Sequence, residues 1–75
     1  MHRMNKKSNR RDGLTLRERE VLQSVKLGST SRDAAASLGI SERTVKFHMA
    51  NILRKLKAGN RAQAVAMAME QGLFD

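Results

Sequence analysis

The 75-residue chain has no cysteine, no proline, no tryptophan and no tyrosine, and only two phenylalanines. Without cysteine there is no disulfide framework, no thiolate metal site and no cysteine nucleophile. A reducing compartment is permitted, and the cytoplasm is the default. Without proline, and with Ala, Leu, Met, Glu, Lys and Arg dominating, the composition suits helices far better than a sheet, so an all-α fold is expected. No apolar run approaches the roughly 20 residues of a membrane span. The N-terminal segment also lacks the apolar stretch of a secretory signal. His2 and His48 have no metal-binding spacing, so no metal or other cofactor is expected. A Ser, His and acid constellation and a phosphate-cradling Gly loop are both missing, which argues against an enzyme and against a small-molecule site.

Acidic residues are also scarce. Seven Asp plus Glu face 15 Lys plus Arg, a formal net charge of +8. A positive field of that size around so small a body favours polyanions, with double-stranded DNA the first candidate. A basic protein kept soluble by its charge is the plainer alternative. The length allows one small domain with a modest core, and a second subunit could bury what remains apolar.

Residues 1–13 are polar and unpatterned, and Arg3, Lys6, Lys7, Arg10 and Arg11 stand against Asp12 alone. This segment reads as a basic flexible arm or a linker, with the folded domain spanning 14–75. Four helices are expected there. Thr15-Leu16-Arg17-Glu18 is a capping-box pattern that opens a first helix through Val21, Leu22, Val25 and Leu27, stopping at Gly28. Thr30-Ser31-Arg32-Asp33 caps a short second helix through Ala34, Ala35, Ala36 and Leu38, stopping at Gly39. Ser41 caps a third that runs to Lys57. Asn60, answered by Gln63, caps a fourth that runs through Gln71 to Gly72.

A short helix, a tight Gly-containing turn and a longer amphipathic helix form a helix-turn-helix pattern. In the third helix, Val45, Met49, Ile52, Leu53 and Leu56 form an apolar stripe, while Arg43, Phe47, Ala50, Asn51 and Arg54 fall opposite. One face requires a core and the other a partner. Lys46 and Arg43 are long donors suited to guanine O6 and N7, or equally to phosphate. Phe47 points away from the stripe, so it packs on a thymine methyl or the sugar backbone, or folds back over the second helix. Thr30 and Ser31 open a helix whose free N–H groups favour phosphate, although capping alone also explains them. His48 reads as a structural hydrogen-bonding residue at the helix edge. The fourth helix is apolar over a wide arc, which suggests two partners. These would be the domain's own core and, through Ala64, Val65, Ala68 and Met69, the same helix of a second subunit.

With these motifs placed, the chain resembles the LuxR-type DNA-binding domain over Leu14 to Leu73. The resemblance is carried by Leu14-Thr15, Arg17-Glu18-Arg19-Glu20-Val21-Leu22, Gly28, Ala35, Leu38, Ile40-Ser41, Thr44-Val45-Lys46, His48, Asn51-Ile52, Lys55-Leu56, Arg61, Ala64 and Gly72-Leu73. Phe47-His48-Met49 and Asn51 look most like the acyl-homoserine-lactone-responsive regulators of quorum sensing. The resemblance implies a dimeric bacterial transcription regulator whose third helix enters the major groove. It places Lys46, Phe47 and Ala50 near base edges, Thr44, Asn51, Lys55 and the start of the second helix near the backbone, and the fourth helix at the dimer contact. Such domains often follow a ligand-binding or phosphoacceptor domain, so the chain is expected to be a stand-alone regulator or an excised domain.

Two positions depart from the family pattern. Ala34 replaces a larger aliphatic residue, which implies a looser contact between the first two helices. Ala50 replaces a long polar side chain and can at most touch a thymine methyl. Two other functions compete with DNA binding by a homodimer. One is an interaction module that heterodimerises with a full-length regulator and inhibits it. The other is an RNA polymerase contact like that of the fourth region of sigma factors, which accounts less well for the fourth helix.

Overall fold

The computed structural model describes residues 13–74, and the basic segment through residue 12 lies outside the described residues. Four helices follow in order: α1 (Leu16–Lys26), α2 (Ser31–Leu38), α3 (Glu42–Leu56) and α4 (Arg61–Glu70). Each begins at a side chain that accepts one of the N–H groups the first helical turn leaves without a partner. At α1 the box is reciprocal: the Thr15 hydroxyl accepts the Glu18 N–H at 3.1 Å, and Glu18 Oε1 accepts the Thr15 N–H at 3.0 Å. The Thr30 hydroxyl accepts the Asp33 N–H at 3.1 Å, and Ser41 Oγ accepts the Thr44 N–H at 3.0 Å. Asn60 Oδ1 accepts the Gln63 N–H at 2.8 Å. The Gln63 side chain reaches back one residue further than the expected box, to the N–H of Gly59.

The C-terminal ends differ from expectation in one instructive place. Gly39 ends α2 in the left-handed region, at φ 72°, as its lack of a Cβ favours. The residue that ends α3 in that region is Lys57, at φ 57°, while the nearby Gly59 has no positive φ. The α3 chain turns immediately after Leu56, so the strained position falls before the available glycine. Leu27 also departs from its expected place in the α1 stripe. It lies past the last turn of α1 and is 73% exposed, because the turn leading to Gly28 carries it off the buried face.

α1 and α3 each pack against all three other helices, and α2 and α4 pack mainly on those two. The core between them contains Leu14, Val21 and Leu22, then Ala34 and Ala35, then Val45, Met49, Ile52 and Leu56, and finally Ala64 and Ala68. Val21, Leu22, Val45 and Ile52 are the largest fully buried side chains. Each contributes roughly 1.5–3 kcal/mol by leaving water. The looser contact expected at Ala34 is not found. This residue is 1% exposed, because α2 approaches closely enough to cover a methyl group. No helix among the described residues is long and apolar enough to cross a membrane.

Candidate nucleic-acid interface

The inner side of α3 is anchored by Val45, Met49, Ile52 and Leu56, with Leu53 half-buried at its edge. That anchoring fixes the direction of the outer side. Arg43, Lys46, Phe47 and Ala50, spaced i, i+3, i+4 and i+7, are all exposed along one row. Arg54 is exposed one turn further on, and Thr44 and Asn51 border the row half-buried. The Phe47 ring is 63% exposed, so it does not fold back over α2 as local core. Its ring lies 5.9 Å from that of His48, tilted by 59°. An aromatic face is thereby held outward.

The polar side chains of this face are partly pre-positioned. Lys46 Nζ lies 3.5 Å from Glu42 Oε2, an exposed pair one turn apart. Arg54 donates to Asn51 Oδ1 at 2.9 Å, leaving the Asn51 amide group as a donor. The Ser41 hydroxyl donates to Thr44 Oγ1 at 2.8 Å, locking the first turn of the helix. At α2, the Thr30 hydroxyl is engaged in capping, whereas half-buried Ser31 accepts a bond from Arg61 Nη2 at 3.1 Å.

Lys55 departs from the expected backbone contact. Its ammonium lies 2.8 Å from Oε1 of Glu18, whose side chain is only 4% exposed, so its charge is turned inward. A buried carboxylate requires a partner, and Lys55 is the cation that α3 brings within reach. Burial pushes the Glu18 carboxyl up. Hydrogen bonds from Lys55 and Thr15, with the charges of Lys55 and His48, more than offset this, and the group titrates below its ordinary value.

The proposed dimer residues also divide. Ala64 and Ala68 are 0% exposed and belong to this chain's own core, so neither is available to a second subunit. They occupy the line of α4 pressed against α1 and α3. Val65 and Met69 lie on the adjacent line, half-buried and 58% exposed respectively. Together with the exposed Ala62 and Ala66 they form an outward apolar stripe. The sequence reading assigned Arg61 no role at the interface. A basic residue at the first position of α4, where the helix dipole disfavours a cation, is the signal that could have drawn attention to it.

A short second helix, a turn over residues 39–41 and a buttressed third helix with a basic outer row define a helix-turn-helix DNA-binding domain. The profile of the family described as "Bacterial regulatory proteins, luxR family" matches residues 12–68, and the chain belongs to that family. It is similar to the quorum sensing-dependent transcriptional regulator RpaR of Rhodopseudomonas palustris, 49% identical over 65 residues that make up 87% of this chain and 27% of that protein. It is also similar to the transcriptional activator protein SolR of Ralstonia solanacearum, 52% identical over 81% of this chain and 26% of that protein. Among solved structures it matches the response regulator ChrA of a heme-sensing two-component system, with a TM-score of 0.77 and 45% identity over 80% of this chain and 30% of that one. The chain therefore spans about a quarter of the length of the curated relatives it matches. The family is one of transcription regulators, not enzymes.

Proposed function

We propose that this chain is the DNA-reading part of a bacterial transcription regulator, acting in the cytoplasm as a homodimer on a two-fold-related site. The observation that carries the reading is the exposed row of Arg43, Lys46, Phe47 and Ala50 on a helix held from behind by the core. A rigid helix of that kind can lie in the major groove. Lys46 and Arg43 then donate to guanine edges, while Phe47 and Ala50 meet thymine methyl groups. Thr44, Asn51, Arg54 and the first turn of α2, with Thr30 and Ser31, face the phosphates that set the register. A row with so few readers discriminates weakly alone. Pairing two copies along Ala62, Val65, Ala66 and Met69 of α4 doubles the readout, with half-sites about 10 bp apart.

The test is to select duplexes from a randomised library and titrate the selected ones at several salt concentrations. A two-fold motif, affinity that falls steeply with salt, and weaker binding by Lys46→Ala are expected. Affinity indifferent to salt, or unchanged by Lys46→Ala, overturns the reading. A chain that instead captures a full-length regulator and fails to shift DNA is an inhibitory interaction module.

A further inference from the structure

Beside the outer row of α3 lies a hollow of about 390 Å³ lined by Ser31, Lys46, Met49, Ala50, Leu53 and Arg61. Its composition is divided. Met49, Ala50 and Leu53 supply an apolar floor, and Lys46 and Arg61 place two cations at the rim, with the Ser31 hydroxyl beside them. Arg61 is drawn to this position by Ser31, 30 residues earlier in the chain, whose Oγ accepts its Nη2 at 3.1 Å. Among the described residues no carboxylate lies within ion-pair distance of Arg61, in contrast to Lys55 with Glu18 and Lys46 with Glu42. Its guanidinium is therefore oriented by a neutral acceptor, which keeps its full charge and leaves most of its five N–H donors unengaged.

An apolar floor and a cationic rim match the two halves of a nucleic-acid backbone unit. Deoxyribose presents C–H surface and phosphate presents anionic acceptors, for which the planar guanidinium fork is well suited. The geometry points to this hollow as the seat of one sugar–phosphate unit of the DNA backbone, with Arg61 as the phosphate-binding residue. This assignment rests on the DNA-binding reading and adds to it a contact from α4. Arg61 extends from the first position of α4, so the seat couples the helix that pairs the two copies to the register of α3 on the duplex. Arg61 is thereby a positioning residue. It carries affinity and angle of approach, but no sequence information.

The experiment uses the wild type, Arg61→Gln, Arg61→Lys and Arg61→Glu, titrated against a selected and an unrelated duplex over a salt series. Loss of one phosphate contact reduces the slope of log affinity against log salt by about 0.9 and weakens binding roughly five- to tenfold near 0.1 M salt. Arg61→Gln should show both changes, equally on the two duplexes, and Arg61→Lys should restore the slope. Arg61→Glu places an acid at the first position of a helix, which favours folding. It therefore loses more affinity in a chain whose far-ultraviolet circular dichroism remains helical. In a second measurement, single phosphates are replaced by neutral methylphosphonates along the duplex. The wild type should lose affinity at one backbone position in each half-site, and Arg61→Gln should be indifferent at that position alone. An unchanged salt slope, a loss confined to one base pair, or a methylphosphonate profile identical to that of the wild type overturns the seat while leaving DNA binding intact. If the wild type shows no salt-dependent binding, both fall.

Discussion

The Glu18 carboxylate and the Lys55 ammonium meet at 2.8 Å across 37 residues of chain, joining the first turn of α1 to the last turn of α3. The same carboxylate oxygen accepts the Thr15 N–H, so one atom closes the α1 cap and holds the recognition helix. Removing Lys55 leaves a buried charge with a backbone N–H as its remaining partner. Lys55→Met is expected to destabilise the fold by about 3 kcal/mol, the lower end for a broken buried pair because Lys55 keeps some contact with water. Urea unfolding followed by circular dichroism at pH 7 measures it, and a loss below about 0.5 kcal/mol would identify the pair as a surface-type interaction.

The same pair sets a pH dependence. A carboxyl held below its ordinary value stabilises the fold above the unfolded-state pKa, about 4.3, and that contribution is lost as pH falls through the folded value. In Lys55→Met the ammonium is absent and burial becomes the main influence, so the carboxyl moves up and protonation relieves it. The stability gap between wild type and Lys55→Met should therefore narrow from pH 7 towards pH 4. A constant gap across urea titrations in that range would show that Glu18 is not the group concerned.

Lys57 and Gly39 make opposite predictions from the same backbone region. Lys57→Gly removes a Cβ from a left-handed residue and should stabilise by about 1 kcal/mol, while Gly39→Ala adds one and should cost a similar amount. In a domain of this size such changes shift the thermal midpoint by roughly 4–8 °C. Calorimetry of the two variants should show shifts of opposite sign.

Phe47 and Ile52 occupy opposite sides of α3, one exposed and the other fully buried. Phe47→Ala should leave stability within about 0.5 kcal/mol of wild type. If its ring meets a thymine methyl, the variant loses roughly 1 kcal/mol or more of discrimination at that base pair. Ile52→Ala should cost about 2–5 kcal/mol in stability and weaken DNA binding only through unfolding. Equilibrium unfolding and duplex titration on both variants separate the two roles.

On α4 the corresponding contrast lies between adjacent residues. Met69→Asp changes an exposed position and should leave the monomer folded while abolishing self-association and weakening binding to a two-half-site duplex. Ala68→Asp buries an unpaired charge in the core and should prevent folding. Sedimentation equilibrium with circular dichroism checks both, and a Met69→Asp chain that associates like wild type would remove this stripe from the dimer contact.

The parts of this fold that were legible in the sequence are those governed by neighbours. Thr15, Thr30, Ser41 and Asn60 cap over three residues, and the stripe from Val45 to Leu56 repeats every turn, so both could be read along the chain. Three features resisted for physical reasons. Lys55 has the charge of a DNA contact, and only the packing of α1 on α3 reveals that it faces Glu18. Alanine tolerates core and solvent alike, so the wide apolar arc of α4 did not show that Ala64 and Ala68 face inward while Val65 and Met69 do not. Arg61 meets Ser31 across 30 residues, a distance over which no periodicity operates.

One bond described by its partners' positions has a kinetic meaning as well. Arg19 Nη2 donates to the Leu73 carbonyl at 2.7 Å across 54 residues, next in sequence to the Glu18 that reaches Lys55. Two consecutive residues of α1 thus hold the far end of α3 and the residues beyond α4. During synthesis α1 emerges before the other three helices, yet its polar bonds cannot close until the ribosome has released the segment around Leu73. The helix-turn-helix pair is complete earlier, so closure of the domain waits on its last turn.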